Sequence, residues 1–293
     1  MPTLTQMDYA LITPDGLKLH VREWPLAEAR RTVVIVHGLG EHIGRYVHVG
    51  AQLNGWGWRV VGYDQRGHGL SDGARGRLAH ADDLLRDLAQ VIDAVRVDHP
   101  GEPLLLLGHS MGGAVAARFV AEGLASTAPV LPAAPWARSV DALVLSSPAL
   151  AAGTSPVQKM LLRLLGTLAP NLALGNGLDP AWVSRDPAVV KAYVDDPLNH
   201  DRISLRLARF ILDAGEAVRS RAAAWKLPTL LLYAGGDRCV LPAGSAAFAR
   251  AAPPDVVTAR EFAPLYHEIF NEPEQRDVFA ALEQWLARFS ARR

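Results

Sequence analysis

Cysteine is almost missing: the 293 residues contain one, Cys239. A lone thiol closes no intramolecular disulfide, so stability rests on packing, and a reducing, cytoplasmic location is the expectation. An excess of charge is missing too. Thirty basic and 30 acidic residues cancel to a formal net charge of zero, and no basic run offers the footprint that nucleic acid requires. Long hydrophobic runs are also absent. Nowhere do about 18 apolar residues follow one another, and Met1 to Asp15 lacks the basic and then apolar order of a signal peptide. Neither a membrane span nor a leader is expected. Repeats and low-complexity tracts are lacking, apart from an Ala/Pro-rich stretch, Ser126 to Trp136, that reads as a surface loop.

What is present suits a large folded core. Hydrophobic residues make up 49% and charged residues 20%, and a chain of this size buries roughly 73% of its unfolded surface. Val- and Leu-rich runs recur between helix-like segments at Thr32 to His37, Arg59 to Asp64, Leu104 to Gly108, Ala142 to Ser146, Thr229 to Tyr233 and Val257 to Phe262. That alternation predicts an α/β fold whose parallel strands are covered on both faces. A hairpin around Asp15-Gly16 precedes them. Leu84, Leu85, Leu88, Val91, Ile92 and Val95 trace one face of a crossover helix between Ala81 and Asp98. Val278, Phe279, Leu282, Trp285, Leu286 and Phe289 do the same at the end of the chain, after a Pro273 suited to a first helical turn. Between Leu150 and Lys226 the strand pattern stops, and Met160, Leu161, Leu162, Leu164, Leu165 and Leu168 form a dense apolar helix. The pattern resumes at Pro228. We therefore expect core segments 1–149 and 227–293 with a strand-free helical cap, 150–226, inserted over the sheet.

The most informative segment is Leu104 to Gly113, where four leucines lead into Gly108-His109-Ser110-Met111-Gly112-Gly113 and an Ala-rich helix. A serine hydroxyl is a poor nucleophile. It gains reactivity when a sharp strand-to-helix turn exposes it, small neighbours let the backbone bend, and a helix N-terminus favours developing negative charge. Ser110 is the expected nucleophile.

A nucleophilic serine needs a base in hydrogen-bond reach and an acid behind that base. In enzymes built on this elbow the acid and then the histidine follow the serine in the chain, each after a late strand. Two histidines qualify by order, His200 and His267; the first lies in the insertion, the second just past the last strand run. His267 is the expected base. Asp237, in the turn after Leu230 to Ala234, is the expected acid ahead of Asp255 and Glu261, its plainer alternative being a cap for the helix after Pro242. Backbone N–H groups must meet the oxyanion, each contributing about 3 to 4 kcal/mol of transition-state stabilisation. Met111 supplies one and Leu39, in His37-Gly38-Leu39-Gly40 after the first long strand, the other. Cys239 reads as a buried structural thiol, since no resolving cysteine stands near.

Three segments together, His37-Gly38-Leu39-Gly40-Glu41-His42-Ile43-Gly44-Arg45-Tyr46, Tyr63 to Gly73 and Gly108 to Gly113, resemble the monoacylglycerol lipase and lysophospholipase branch of the α/β-hydrolases. The likeness spans nearly the whole chain, and Asp237 and His267 match the family's acid and base in order and spacing. It implies an α/β-hydrolase fold with a mostly parallel eight-stranded sheet and a mobile helical cap inserted after strand 6. It also points to Glu41 and Arg45 as groups that shape the polar-head pocket, and to Tyr193 as a cap residue facing glycerol. For Glu41 and Arg45 a structural ion pair is the equal alternative. One departure stands out: animal monoacylglycerol lipases carry a second histidine three residues after the base, and here Phe270 stands there. The bacterial lysophospholipase-like group, whose substrates vary, is the closer match.

The expected reaction is two-step hydrolysis of a small-molecule acyl ester, needing neither metal nor organic cofactor. The apolar stretch Leu150 to Leu168 either walls an acyl tunnel, packs plainly on the core, or touches a lipid interface. Rival readings are a proline-type aminopeptidase, with Glu41 or Asp195 holding the substrate amine, and a non-catalytic scaffold that a fluorophosphonate probe would fail to label. Perhydrolase chemistry is a side reaction open to the same groups.

Overall fold

The computed structural model describes residues 6–125, 134–153 and 156–289; most of the Ala/Pro-rich stretch lies outside them. The sheet has eight strands in the order β1-β2-β4-β3-β5-β6-β9-β10. β1 (Met7–Ile12) and β2 (Lys18–Trp24) form the expected antiparallel hairpin. Its turn is closed by the Leu17 amide donating to Thr13 Oγ1 (3.0 Å) and by Gly16 at φ 85°. β2 also pairs antiparallel with β4 (Arg59–Tyr63), whereas β3 (Thr32–Val36), β4, β5 (Leu104–His109), β6 (Ala142–Ser146), β9 (Thr229–Ala234) and β10 (Val257–Phe262) run parallel. Each of these six ends within one residue of its expected run.

Every residue of β3, β4, β5, β6 and β9 is buried, which is why their sequences are continuous apolar runs instead of alternations. Successive side chains serve opposite faces. Val34, Val36, Leu104 and Leu106 join the cluster beneath α2 (Asp83–Asp98) and α3 (Ser110–Ala125). Val33, Ile35, Leu105 and Leu107 join the one beneath α1 (Val47–Gly55) and α8 (Gln275–Leu286). Each such side chain contributes roughly 1.5–3 kcal/mol of burial. Pro273 stands one residue before the α8 cap, Glu274, and not in the first turn.

Between β6 and β9 lie α4 (Pro156–Leu168), α5 (Pro187–Asp195) and α6 (Leu205–Ser220). The expectation of a strand-free insertion is corrected: β7 (Ala173–Gly175) and β8 (Arg202–Ser204) pair antiparallel there. Three residues are too few to display a period of two, and the partners lie far apart in sequence. α6 differs from its neighbours. Leu207, Phe210, Ala214 and Val218 are buried in the same cluster as α3, so this helix seats the insertion on the sheet while α5 buries no residue. Among the described residues no helix is long and apolar enough to cross a membrane. The remaining helix of the body, α7 (Pro242–Ala251), follows β9.

Candidate active site

Parallel strands leave their carboxyl ends at one rim of the sheet, and loops leaving there converge. Ser110 follows β5 directly and opens α3; Asp237 lies three residues after β9, and His267 five after β10. Ser110 sits at φ 52°, a left-handed conformation rare for residues other than glycine, as a strained elbow requires. Small neighbours permit it: a Cβ on Gly108 would stand 2.5 Å from the Gly112 oxygen, and one on Gly112 would collide with the Val36 and His37 carbonyls.

These loops bring the three residues together. Ser110 Oγ lies 2.8 Å from His267 Nε2, and His267 Nδ1 lies 2.7 Å from Asp237 Oδ2. A carboxylate only accepts, so Nδ1 carries the ring proton and Nε2 is left free to accept from the serine hydroxyl. Asp237 does not cap α7: its Oδ1 accepts from the amides of Cys239 (2.8 Å) and Val240 (3.0 Å). Burial opposes a charged imidazole, yet the Asp237 carboxylate, seconded by Glu268 and Glu41, lifts His267 above the ordinary histidine range. Its neighbour His109, with ring centroids 4.7 Å apart, is pushed by burial down to about 4 and stays neutral.

The remaining candidates divide. His200 donates from its amide to the Gly40 carbonyl (2.8 Å) and from Nε2 to the Gly67 carbonyl (3.1 Å), so it belongs to the seam between insertion and sheet. Glu261 is exposed on β10 and accepts from the Tyr233 hydroxyl (3.1 Å); Asp255 precedes that strand. Leu39 and Met111 both flank Ser110 in the wall of an apolar chamber. The loop carrying Leu39 presses close, for a Cβ on Gly38 would stand 3.2 Å from Ser110 Cβ.

Glu41 and Arg45 form the ion pair that was the alternative to a pocket role. Arg45 Nη1 donates to Glu41 Oε2 (2.8 Å) and Arg45 grips Glu268 with both terminal nitrogens (2.5 and 2.7 Å). Against the cost of burial, Arg45 holds the Glu41 carboxyl down at about 2. Tyr193 reaches in from α5 and lies under the Arg45 guanidinium, 4.7 Å from ring centroid to Cζ. Phe270 is buried and packs on Phe279, 5.0 Å between centroids, so the departure at this position puts an apolar side chain in the core.

Two chambers meet at Ser110. The apolar one, of about 170 Å³, is walled by Met111, the Ala149 to Ala152 segment, Leu162 and Leu212, with the charged Arg209, Asp213, Glu216 and Arg219 also in its wall. The polar one, of about 230 Å³, is walled by Glu41, Tyr193, Asp196, Asn199, His200 and Glu268 among others, and no Lys or Arg lines it among the described residues. Leu39, Asn176, Leu178 and Cys239 stand at the junction. Cys239 is thus corrected from a buried structural thiol to a half-buried wall residue. Burial and the Asp237 charge push its thiol up, away from the reactive thiolate. Asp237, Cys239 and His267 carry ligand-type atoms within 4.8 Å of one another, but two of the three spend those atoms on each other. Of the apolar α4 side chains, Leu162 faces the chamber, whereas Met160, Leu164 and Leu168 are 67%, 59% and 74% exposed.

Sequence reasoning missed Glu268, Asn176 and Asp196. A long-range bidentate pair, a residue just past a three-residue strand and an acid meeting His42 Nε2 at 2.8 Å leave no local signature.

Comparison with known proteins places the chain. The family model described as "Serine aminopeptidase, S33" matches residues 27–274. The chain is similar to the monoacylglycerol lipase of Mycolicibacterium smegmatis, 34% identical over 98% of this chain and 99% of that protein. It is also similar to the human monoglyceride lipase, 32% identical over 96% of this chain and 90% of that protein. Among solved structures, the monoacylglycerol lipase of Paleococcus ferrophilus superposes with a TM-score of 0.78 at 37% identity, covering 92% of this chain and 98% of that one. With the serine elbow, the sheet order and these matches in agreement, the chain belongs to the serine aminopeptidase S33 family of α/β-hydrolases.

Proposed function

We propose that this protein is a serine ester hydrolase acting on monoacylglycerols, with lysophospholipids and simple acyl esters as secondary substrates. The observation that carries the reading is the hydrogen-bonded run Ser110 Oγ–His267 Nε2, His267 Nδ1–Asp237 Oδ2 at the junction of an apolar and a polar chamber. An amphiphile with one acyl chain and a small polar alcohol fits that division: the chain enters the Leu162 side, the alcohol the Tyr193 side, and the ester carbonyl lies over Ser110.

Ser110 attacks the carbonyl while His267 takes its proton, and Asp237 holds the imidazolium that results. The oxyanion is met by the amides of Leu39 and Met111. His267 then returns the proton to the departing alcohol, and water repeats the sequence on the acyl-enzyme. Asp237, His267 and Ser110 are the catalytic residues in this reading; Tyr193, with Glu41 and Arg45 behind it, shapes the alcohol side. Residues 1–149 and 227–293 form the catalytic body and 150–226 the cap. Exposed Met160, Leu164, Leu168 and Leu172 support transient contact of that cap with the lipid surface supplying substrate. The single half-buried thiol suits a reducing, cytoplasmic setting.

Charge favours the neutral head group. Glu41 and Glu268 share the single cation Arg45; Asp179, Asp196 and Asp201 add to their surplus, and no lysine or arginine lines the polar chamber among the described residues, so a phosphodiester meets a repulsive field. The aminopeptidase reading loses its two named acids, since Glu41 is spent on Arg45 and Asp195 on Lys191. A hydrolysis panel of monoacylglycerols, lysophospholipids, p-nitrophenyl esters and proline arylamides tests the proposal. The expected result is monoacylglycerol turnover roughly tenfold or more above that of a lysophospholipid of equal chain, abolished roughly 10⁴-fold or more in Ser110→Ala. Turnover by Ser110→Ala, or arylamides cleaved in preference to esters, overturns it.

A further inference from the structure

Glu268 is a buried acid that the reaction as described leaves without a role, and it directly follows His267. Its side chain is 6% exposed. Both of its oxygens hold Arg45 and one also accepts from Asn271 Nδ2 (2.8 Å), while its amide donates to the Val183 carbonyl of the insertion (2.8 Å). Arg45 in turn reaches Glu41, whose Oε1 accepts from the Gly38 amide (2.5 Å) and the Tyr46 hydroxyl (2.7 Å). Gly38 adjoins Leu39. One guanidinium between two carboxylates thus ties the loop after β3 to the loop after β10, and Tyr193 of α5 closes over it.

The charge count is informative. A buried bridge built only for stability is balanced, because an uncompensated buried charge costs several kcal/mol. Here two acids share one cation, leaving a surplus negative charge beside the base. We propose that Glu268 is a positioning residue: through Arg45 and Glu41 it keeps the oxyanion loop in register with His267, and its surplus charge steadies the imidazolium that forms during turnover. The inference rests on the ester-hydrolase reading.

Groups from four other segments face His267. Asp237 and Cys239 come from the loop after β9, His109 from the end of β5, Ser110 from α3 and Glu41 from the loop after β3, with Arg45 beyond. The base works neutral, so activity falls as the pH drops through its pKa. Removing the Glu268 charge weakens support for the imidazolium and moves that acid limb to lower pH; removing the Arg45 charge moves it to higher pH.

The test is the pH profile of kcat and KM on a soluble p-nitrophenyl ester for Glu268→Gln, which keeps the shape of the side chain, with Tm measured alongside. The expected result is kcat about tenfold lower, KM within about twofold, and the acid limb lower by about one pH unit. Arg45→Met shifts the limb upward if it folds, and Glu268→Gln alone decides the matter if it does not. An unmoved limb overturns the proposal, whether kcat is retained or falls together with Tm, since a purely structural bridge would do the latter. Activity surviving in Ser110→Ala would instead remove the ester-hydrolase reading itself.

Discussion

The rim of the sheet and the insertion above it are held by different forces. At the rim, five strands are buried at every residue, and two of them, β5 and β9, carry Ser110 and Asp237; His267 follows the edge strand β10 and meets both within 2.8 Å. In the insertion, α6 packs into the core, but beyond that helix α5 buries nothing and the two strands have three residues each. Its seam to the body includes separate polar contacts: His42 to Asp196, the His200 amide to Gly40, the Ser204 amide to Gly76, and Ser184 and Arg185 to the fully buried Glu272. Close packing admits one arrangement; a handful of hydrogen bonds, each contributing about 0.5–1.5 kcal/mol, is readily opened. In the proposed reading, bond-making chemistry sits on the stiff part, while recognition of the alcohol is shared with the part held more loosely.

The contrast is sharpest in a pair of leucine truncations. Leu106→Ala, in the centre of β5 and fully buried, is expected to lower stability by about 2–5 kcal/mol. Leu164→Ala, on the exposed face of α4, is expected to change it by no more than about 0.5 kcal/mol. Urea unfolding of the two variants checks this, and equal losses would erase the distinction between the regions. Next in size is the response to acid. The carboxyls of Glu41 and Asp64 are held at about 2, from ordinary values of 4.5 and 3.8, Glu41 by Arg45 and Asp64 by the His20 hydrogen bond, both against burial. A depressed folded-state pKa stabilises above the unfolded value and is lost as pH falls toward the folded one. Stability should therefore decline between about pH 4.5 and pH 2, followed by circular dichroism. The smallest effect concerns the seam. Asp196→Ala frees His42 and should raise KM for a monoacylglycerol about twofold to tenfold while leaving turnover of a p-nitrophenyl ester, which has no glycerol to hold, nearly unchanged.

Much of this was legible in the chain because the signals are local. Continuous Val and Leu runs name doubly buried strands, and the elbow Gly108 to Gly113 names its serine from the crowding that only glycine tolerates. The strand pair β7 and β8 was not legible, since three residues carry no period. Cys239 was misjudged because burial of one side chain depends on whether a chamber lies beside it. Glu268 gave no sign at all: its partner Arg45 stands at the far end of the sequence, and nothing local distinguishes it from a surface glutamate.

Composition and pattern by themselves determined the layered α/β architecture and singled out the turn that carries Ser110, because apolar period and turn chemistry act over a few neighbours. Only the folded chain decided which carboxylates share Arg45, which leucines of α4 face inward, and that no lysine or arginine lines the polar chamber among the described residues. Those outcomes depend on distances between segments up to 223 residues apart, and Coulomb energy and burial follow distance in space, not separation along the chain.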